Sequence, residues 1–192
     1  MYRKEINVSE ERIHELKLKA LELRERMVRM IYEAKRGHIG GALSESDIMT
    51  ALFQEVMLTG PEQLQAPDHD IFILSKGHNC EPYYCSLSDR GYFDDSMLDT
   101  FCRFDSLLGG HPSTRIPGVE IATGALGHGL SIACGAALAK KRDQMDSEVY
   151  VLMGDGELAE GTNWEAAMFA ANHQLDNLYA IVDRNHLQLS GA

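Results

Sequence analysis

No stretch of this 192-residue chain approaches the 18 or more consecutive apolar residues of a membrane span, and the amino end, MYRKEINVSEERIHELKLKA, lacks the apolar core of a signal peptide. Neither a helical membrane protein nor a secreted one is expected, and the cytoplasm is the expected compartment. Cysteine is sparse: Cys80, Cys85, Cys102 and Cys134 form no C-x-x-C and no zinc-finger spacing, so they read as reduced, mostly buried apolar residues rather than staples or ligands. Basic residues are also few, 18 against 29 acidic, a net charge of −11. A field of that sign repels polyanions, which excludes a general nucleic-acid or acidic-membrane binder; any anion bound here needs a local attraction. Internal repeats and low-complexity segments are missing too. What remains is an ordinary globular composition, 44% hydrophobic and 24% charged, and a length that predicts one domain over residues 1–192.

Along the chain, residues 9–36 predict one long amphipathic helix packed on that domain. Ser9 is placed to cap it, Ile13, Leu16, Ala20, Leu23, Met27, Met30, Ile31 and Ala34 recur at helical spacing, and Gly37 is expected to end it. A second helix is expected to start at Ser44, whose hydroxyl can cap, and to run to Met57. Residues 60–70 read as a loop, 70–74 as a strand, and a helix follows near Glu81. Residues 102–129 are glycine-rich and irregular, a length of loop that in compact domains is usually functional. A Gly/Ala-rich helix over 128–142 precedes a buried strand at 149–153, a helix at 164–173 and a second buried strand at 177–182. Strand, helix, strand predicts an α/β fold, a parallel sheet with helices on both faces.

Two patterns carry chemistry. Four of the eight histidines, His38, His78, His111 and His128, directly follow a glycine, where chance would put fewer than one. Glycine lets the backbone aim the next side chain into a cleft, and histidine titrates near neutrality, so a shared site is the favoured reading. The second pattern is Gly154-Asp155-Gly156-Glu157 between a strand and a helix. With Ala159 it superficially fits a dinucleotide fingerprint, yet two carboxylates there would repel a bare pyrophosphate. A divalent cation removes the conflict, since magnesium takes one or two carboxylates plus phosphate oxygens. Thirty residues on, Asn185 follows the next strand. In a right-handed βαβ unit both loops emerge at the carboxyl edge, so Asp155 and Asn185 can meet across one ion.

GDG followed some thirty residues later by asparagine resembles the thiamine diphosphate fingerprint, and five stretches in order narrow the likeness to the transketolases: RGHIGGALS (36–44), LSKGH (74–78), GGHPS (109–113), TGALGHGLS (123–131) and GDGELAEGTNWEA (154–166). The versions here are most similar to the separate amino-terminal subunits of split bacterial transketolases. The resemblance implies the thiamine diphosphate-binding fold, specifically its diphosphate-binding domain. It also implies two-carbon ketol transfer between sugar phosphates in carbohydrate metabolism, as in the pentose phosphate pathway. The implied cofactors are thiamine diphosphate and Mg2+, with Ca2+ or Mn2+ as substitutes.

Carried over position by position, the resemblance makes Asp155, Asn185 and the carbonyl of Leu187 the metal ligands. Gly154, Gly156, Glu157, Asn185, Leu187 and Leu189 would lie along the diphosphate side, and His78, Gly124, Leu126 and Gly127 would line the cofactor. His38, His78 and His111 would act on substrate oxygens and protons; Glu160 and Glu165 match acidic positions that in the family lie near the subunit contact and are linked to cofactor activation between sites, which would make them catalytic as well. His128 stands where many relatives have glutamine and is given no role. The glutamate that activates the cofactor and the arginines that hold sugar phosphates belong, in the family, to a pyrimidine-binding part with no counterpart here. A complementary subunit is therefore implied, giving a dimer or heterotetramer that is inactive until assembled. A deoxyxylulose-phosphate-synthase-like or sulfosugar transketolase, or a catalytically silent assembly subunit, stand as alternatives. Because the family's domain continues past this point, the strand before Asn185 is expected to be an unpaired edge with apolar surface uncovered unless a partner or further chain lies on it.

Overall fold

A computed structural model describes residues 7–186 and residue 188. Helix α1 (Glu10–Ala34) begins as its sequence requires: the Ser9 side chain accepts the Arg12 amide at 3.1 Å, and Glu10 and Glu11 sit in the first turn against the helix dipole. Its buried stripe, Ala20, Leu23, Met27 and Met30, packs on helices α2 (Ile39–Ala51) and α3 (Glu81–Asp89). Burying side chains such as Leu23 and Met27 contributes about 1.5–3 kcal/mol each. Arg26 on α1 forms ion pairs with Asp89 and Asp95, and Lys19 reaches Asp89 at 3.2 Å, which pins the helix against α3 and the 3-10 turn at Asp95–Thr100.

Two boundaries differ from expectation. Helix α1 ends at Ala34 because Lys35 takes the left-handed conformation (φ 54°); Gly37 lies beyond the cap. Helix α2 starts at Ile39, five residues before Ser44, and the Ser44 hydroxyl is not a cap. It donates to Asp183 Oδ1 at 2.6 Å, a tertiary partner invisible to local patterning. The helix passes into a π turn at Leu52–Val56.

Strands β1 (Ile71–Leu74), β2 (Val149–Gly154) and β3 (Leu178–Asp183) form a parallel sheet in that order, with Leu74 opposite Leu152 and Gly154 opposite Asp183. Alternation divides the core. Phe72, Leu74, Tyr150 and Leu152 face α1–α3, whereas Ile73, Val149, Val151 and Met153 face α4 (Gly129–Arg142) and α5 (Gly161–Asn172). Helices thus cover both faces, and β2, buried at every residue, is the centre, which explains its unbroken apolar run. Ala133 and Ala137 bring α4 close to the sheet, and Lys140, Lys141 and Arg142 end it with charge of the favourable sign.

The expectation of a buried strand over 177–182 is corrected. Among the described residues β3 is the sheet edge, as expected for the strand before Asn185, but it is not buried: Tyr179 and Val182 are exposed and only Asp183 is buried. An apolar run reports the capacity to be covered, not the cover. Residues 102–129 are irregular as expected, but anchored: Leu108, Ile116 and Val119 enter the α1–α3 core. All four cysteines are free, and Cys80, Cys85 and Cys134 are buried.

Candidate functional site

The loops that follow β1, β2 and β3 all emerge at the carboxyl edge, where the α1–α2 turn and the glycine-rich segment meet them around a cleft of about 620 Å3. Its walls include His38, Lys76, His78, Asn79, Gly124, Leu126, Gly154, Asp155, Gly156, Glu157 and Asn185. The structure therefore brings most of the expected site residues to one place from five separated stretches. Leu187 and Leu189 lie outside the described residues.

On one wall, the His38 and His78 rings meet edge-on, centroids 5.0 Å apart. His111 stands behind Gly124: a Cβ on that glycine would fall 3.0 Å from His111 Cδ2. Desolvation, then the neighbouring His38, Lys76 and His111, holds His78 down at about 4, so its imidazole is neutral at physiological pH and can both donate and accept. His128 is not part of the cleft wall; its Nδ1 sits 3.1 Å from the Leu126 carbonyl oxygen.

Also lining the cleft, Asp155 heads the turn after β2, its Oδ1 accepting from the Gly156 amide at 3.0 Å and its Oδ2 from the His186 amide at 2.9 Å. The Asn185 amide nitrogen donates to Asp183 Oδ2 at 2.9 Å, so the nitrogen end of that amide, not the oxygen end, faces the carboxylate. Glu157 is buried, and its carboxylate accepts three hydrogen bonds: Gly127 N donates at 2.7 Å, Gly154 N at 3.1 Å, and the Ser75 hydroxyl supplies the third. This one carboxylate ties the loops after β1 and β2 to the TGALG segment. Gly127 joins it at φ 84° while packed on Glu160, so both its conformation and the lack of a Cβ are needed there.

Beneath the cleft lies a charge cluster that reading the sequence did not assign. Lys76, 1% exposed, reaches Asp183 at 2.6 Å in a hydrogen-bonded ion pair and Glu45 at 2.7 Å in a contact without hydrogen-bond alignment. Burial pushes the Glu45 carboxyl up to about 8 against the pull of Lys76. Asp183 is held below the usual range by Lys76 and Ser44, which outweigh its own burial. The sole sequence signal for this cluster was the lysine inside LSKGH. Glu160 and Glu165, by contrast, are not in the cleft; they are exposed at the N-cap and in the second turn of α5, beside exposed Trp164 and Met168.

Loops from three parallel strands, a Gly-Asp-Gly turn and an asparagine on the next loop define an α/β cofactor-binding domain of the kind that takes its ligand at the carboxyl edge. The family model for "Transketolase, thiamine diphosphate binding domain" matches residues 17–192, and the chain belongs to the transketolase family. It is 46% identical over 179 residues to an apulose-4-phosphate transketolase subunit from Phocaeicola vulgatus, covering 93% of this chain and 64% of that protein. It is 41% identical over 156 residues to the 6-deoxy-6-sulfo-D-fructose transketolase subunit SqwG of a Clostridium species, covering 81% and 57%. The transketolase structure from Campylobacter jejuni superposes with a TM-score of 0.86 at 34% identity, over 92% of this chain and 29% of that one. The chain thus spans about two thirds or less of the length of these relatives.

Proposed function

We propose that this chain is the diphosphate-binding part of a two-part transketolase, dependent on thiamine diphosphate and Mg2+ and completed by a pyrimidine-domain subunit. The observation that carries the proposal is the convergence of Asp155 and Asn185 with His38 and His78 on one cleft. The donor set fits the ion. A carboxylate and an amide oxygen are hard ligands suited to magnesium. Leu187 would add its carbonyl, the diphosphate would add oxygens, and Ca2+ or Mn2+ could substitute. Gly154, Gly156, Glu157, Leu189 and the Gly124–Gly127 segment would bound the cofactor.

When bound, thiamine diphosphate supplies the nucleophilic carbon that takes a two-carbon ketol unit from a ketose and delivers it to an aldose. The chain's own residues hold and polarise. His78, kept neutral, can donate a hydrogen bond to a substrate oxygen from one ring nitrogen and accept a proton at the other. His38, in ring contact with it, extends that donor and acceptor surface along the cleft, and His111 stands behind Gly124, next to the lining residues rather than among them. The relatives named for apulose-4-phosphate and 6-deoxy-6-sulfo-D-fructose support, as the substrate class, sugars ending in an anionic group, sugar phosphates first. Partner assembly is supported by α5, where Trp164 and Met168 are 59% and 67% exposed next to Glu160 and Glu165. A subunit seated there would form a dimer or heterotetramer.

Calorimetry with thiamine diphosphate tests the binding half, and assays of two-carbon transfer with and without a pyrimidine-domain subunit test the rest. Binding that needs Mg2+, with turnover only in the mixture, is the expected result. Binding unaffected by EDTA, or robust turnover by this chain alone, would overturn it.

A further inference from the structure

We propose that Glu81 and Asn79 are positioning residues for His38, gripping its peptide from both sides so that its ring stays against that of His78. This deepens the reading of the cleft as a transketolase site and rests on it. The His38 amide donates to Glu81 Oε1 at 3.2 Å, and Asn79 Nδ2 donates to the His38 carbonyl at 2.9 Å. Glu81 is 1% exposed and Asn79 is 2% exposed, so the two gripping side chains are held in the interior while the His38 end of each bond stays part-buried.

Room for both side chains is cut by glycine. A Cβ on Gly37 would lie 2.4 Å from Glu81 Oε1, and one on Gly41 would lie 2.6 Å from the Asn79 carboxamide. Gly37 also holds φ 141°, a conformation that costs most other residues strain, so the approach to His38 is built around the clamp. Glu81 Oε2 is buried with no hydrogen-bond partner among the described residues, an arrangement that costs free energy and that packing of α3 alone does not require. Burial raises the Glu81 carboxyl above the usual range, which lessens that cost by favouring its neutral form. His38 itself spends no side-chain atom on capping α2, although it occupies the cap position. Its peptide is fixed and its ring is left for the cleft.

The test uses the full chain with histidine isotopically labelled, the ring signals of His38 and His78 being assigned through H38Q and H78Q. In E81A and in N79A both ring signals should move, because the edge-on contact loosens, and the His38 amide should exchange at least about tenfold faster. E81Q keeps an acceptor for that amide and should restore the wild-type signals, a rescue that a general loss of packing would not show. Thiamine diphosphate and Mg2+ affinity, read by calorimetry, should change less than about threefold in E81A. Unmoved ring signals in E81A would overturn the proposal. Should E81A fail to fold, N79A decides: unmoved signals there overturn it equally. A wild-type chain that binds no thiamine diphosphate would overturn the functional reading instead, and the ring signals would still judge the clamp.

Discussion

Replacing Lys76 with methionine removes the cation from a site that holds two buried carboxyls, Asp183 at 2.6 Å and Glu45 at 2.7 Å. Methionine keeps most of the volume, so the loss is chiefly electrostatic. Breaking a buried pair by deleting one partner costs about 3–5 kcal/mol, because the other charge stays desolvated. For a domain of this size each kcal/mol moves Tm by about 2–4 °C, so K76M should melt roughly 6–20 °C lower. The sign of the pH dependence follows from Glu45. Its folded value, about 8, lies above the ordinary 4.5, so between those values the native state holds a proton that the unfolded chain has lost, and stability falls as pH rises. Without Lys76 nothing pulls the carboxyl back down, its proton is held still more tightly, and the fall continues at higher pH than in the wild type. The K76M deficit should therefore be larger at about pH 9 than at about pH 6. Thermal melts followed by far-UV circular dichroism at both pH values measure it; E45L in the K76M background should recover only part, since Asp183 has lost its cation. A K76M chain melting within about 2 °C of wild type at both pH values would refute the reasoning.

Asp155→Ala should abolish Mg2+-dependent thiamine diphosphate binding, a loss of more than about a hundredfold in affinity by calorimetry, since a charged ligand leaves a shielded site. Unchanged affinity would remove Asp155 from the metal site. Glu157→Ala orphans the Gly127 and Gly154 amides together and should cost at least about 3 kcal/mol, seen as faster hydrogen exchange at those two amides, with Glu157→Gln between it and wild type. Wild-type exchange at both amides would contradict the bracing role. His78, held near 4, binds its proton less readily in the folded state than in the unfolded one, so it makes stability fall as pH drops from about 6.5 toward 4. His78→Gln should flatten that part of the urea-unfolding profile, and an unaltered slope would show that the imidazole is not desolvated.

Reading from residues alone, α1 was legible because Ser9, the acidic first turn and the 3.6-residue stripe all act within a few residues of one another. The same holds for the parallel strands, whose apolar runs separated by a helix admit few topologies. Motif spacing likewise placed Asp155 and Asn185 on neighbouring loops of one sheet edge. What local reasoning missed depends on partners far away in sequence. Ser44 resembles a cap, yet its hydroxyl is taken by Asp183, 139 residues on. The 177–182 run is as apolar as a buried strand, yet among the described residues Tyr179 and Val182 are exposed. Glu157 resembles a residue facing a ligand, yet its carboxylate is spent on three donors of the protein itself. Lys76 lay inside the LSKGH stretch but its partners could not be read there, and the roles of Glu45, Asn79 and Glu81 carried no pattern, because a buried ion pair or a grip on another residue's peptide has no periodicity along the chain. Sequence determines which groups can bond and which surfaces can be buried; only the tertiary structure decides which of those bonds are made, because burial sets the cost of leaving each one unmade.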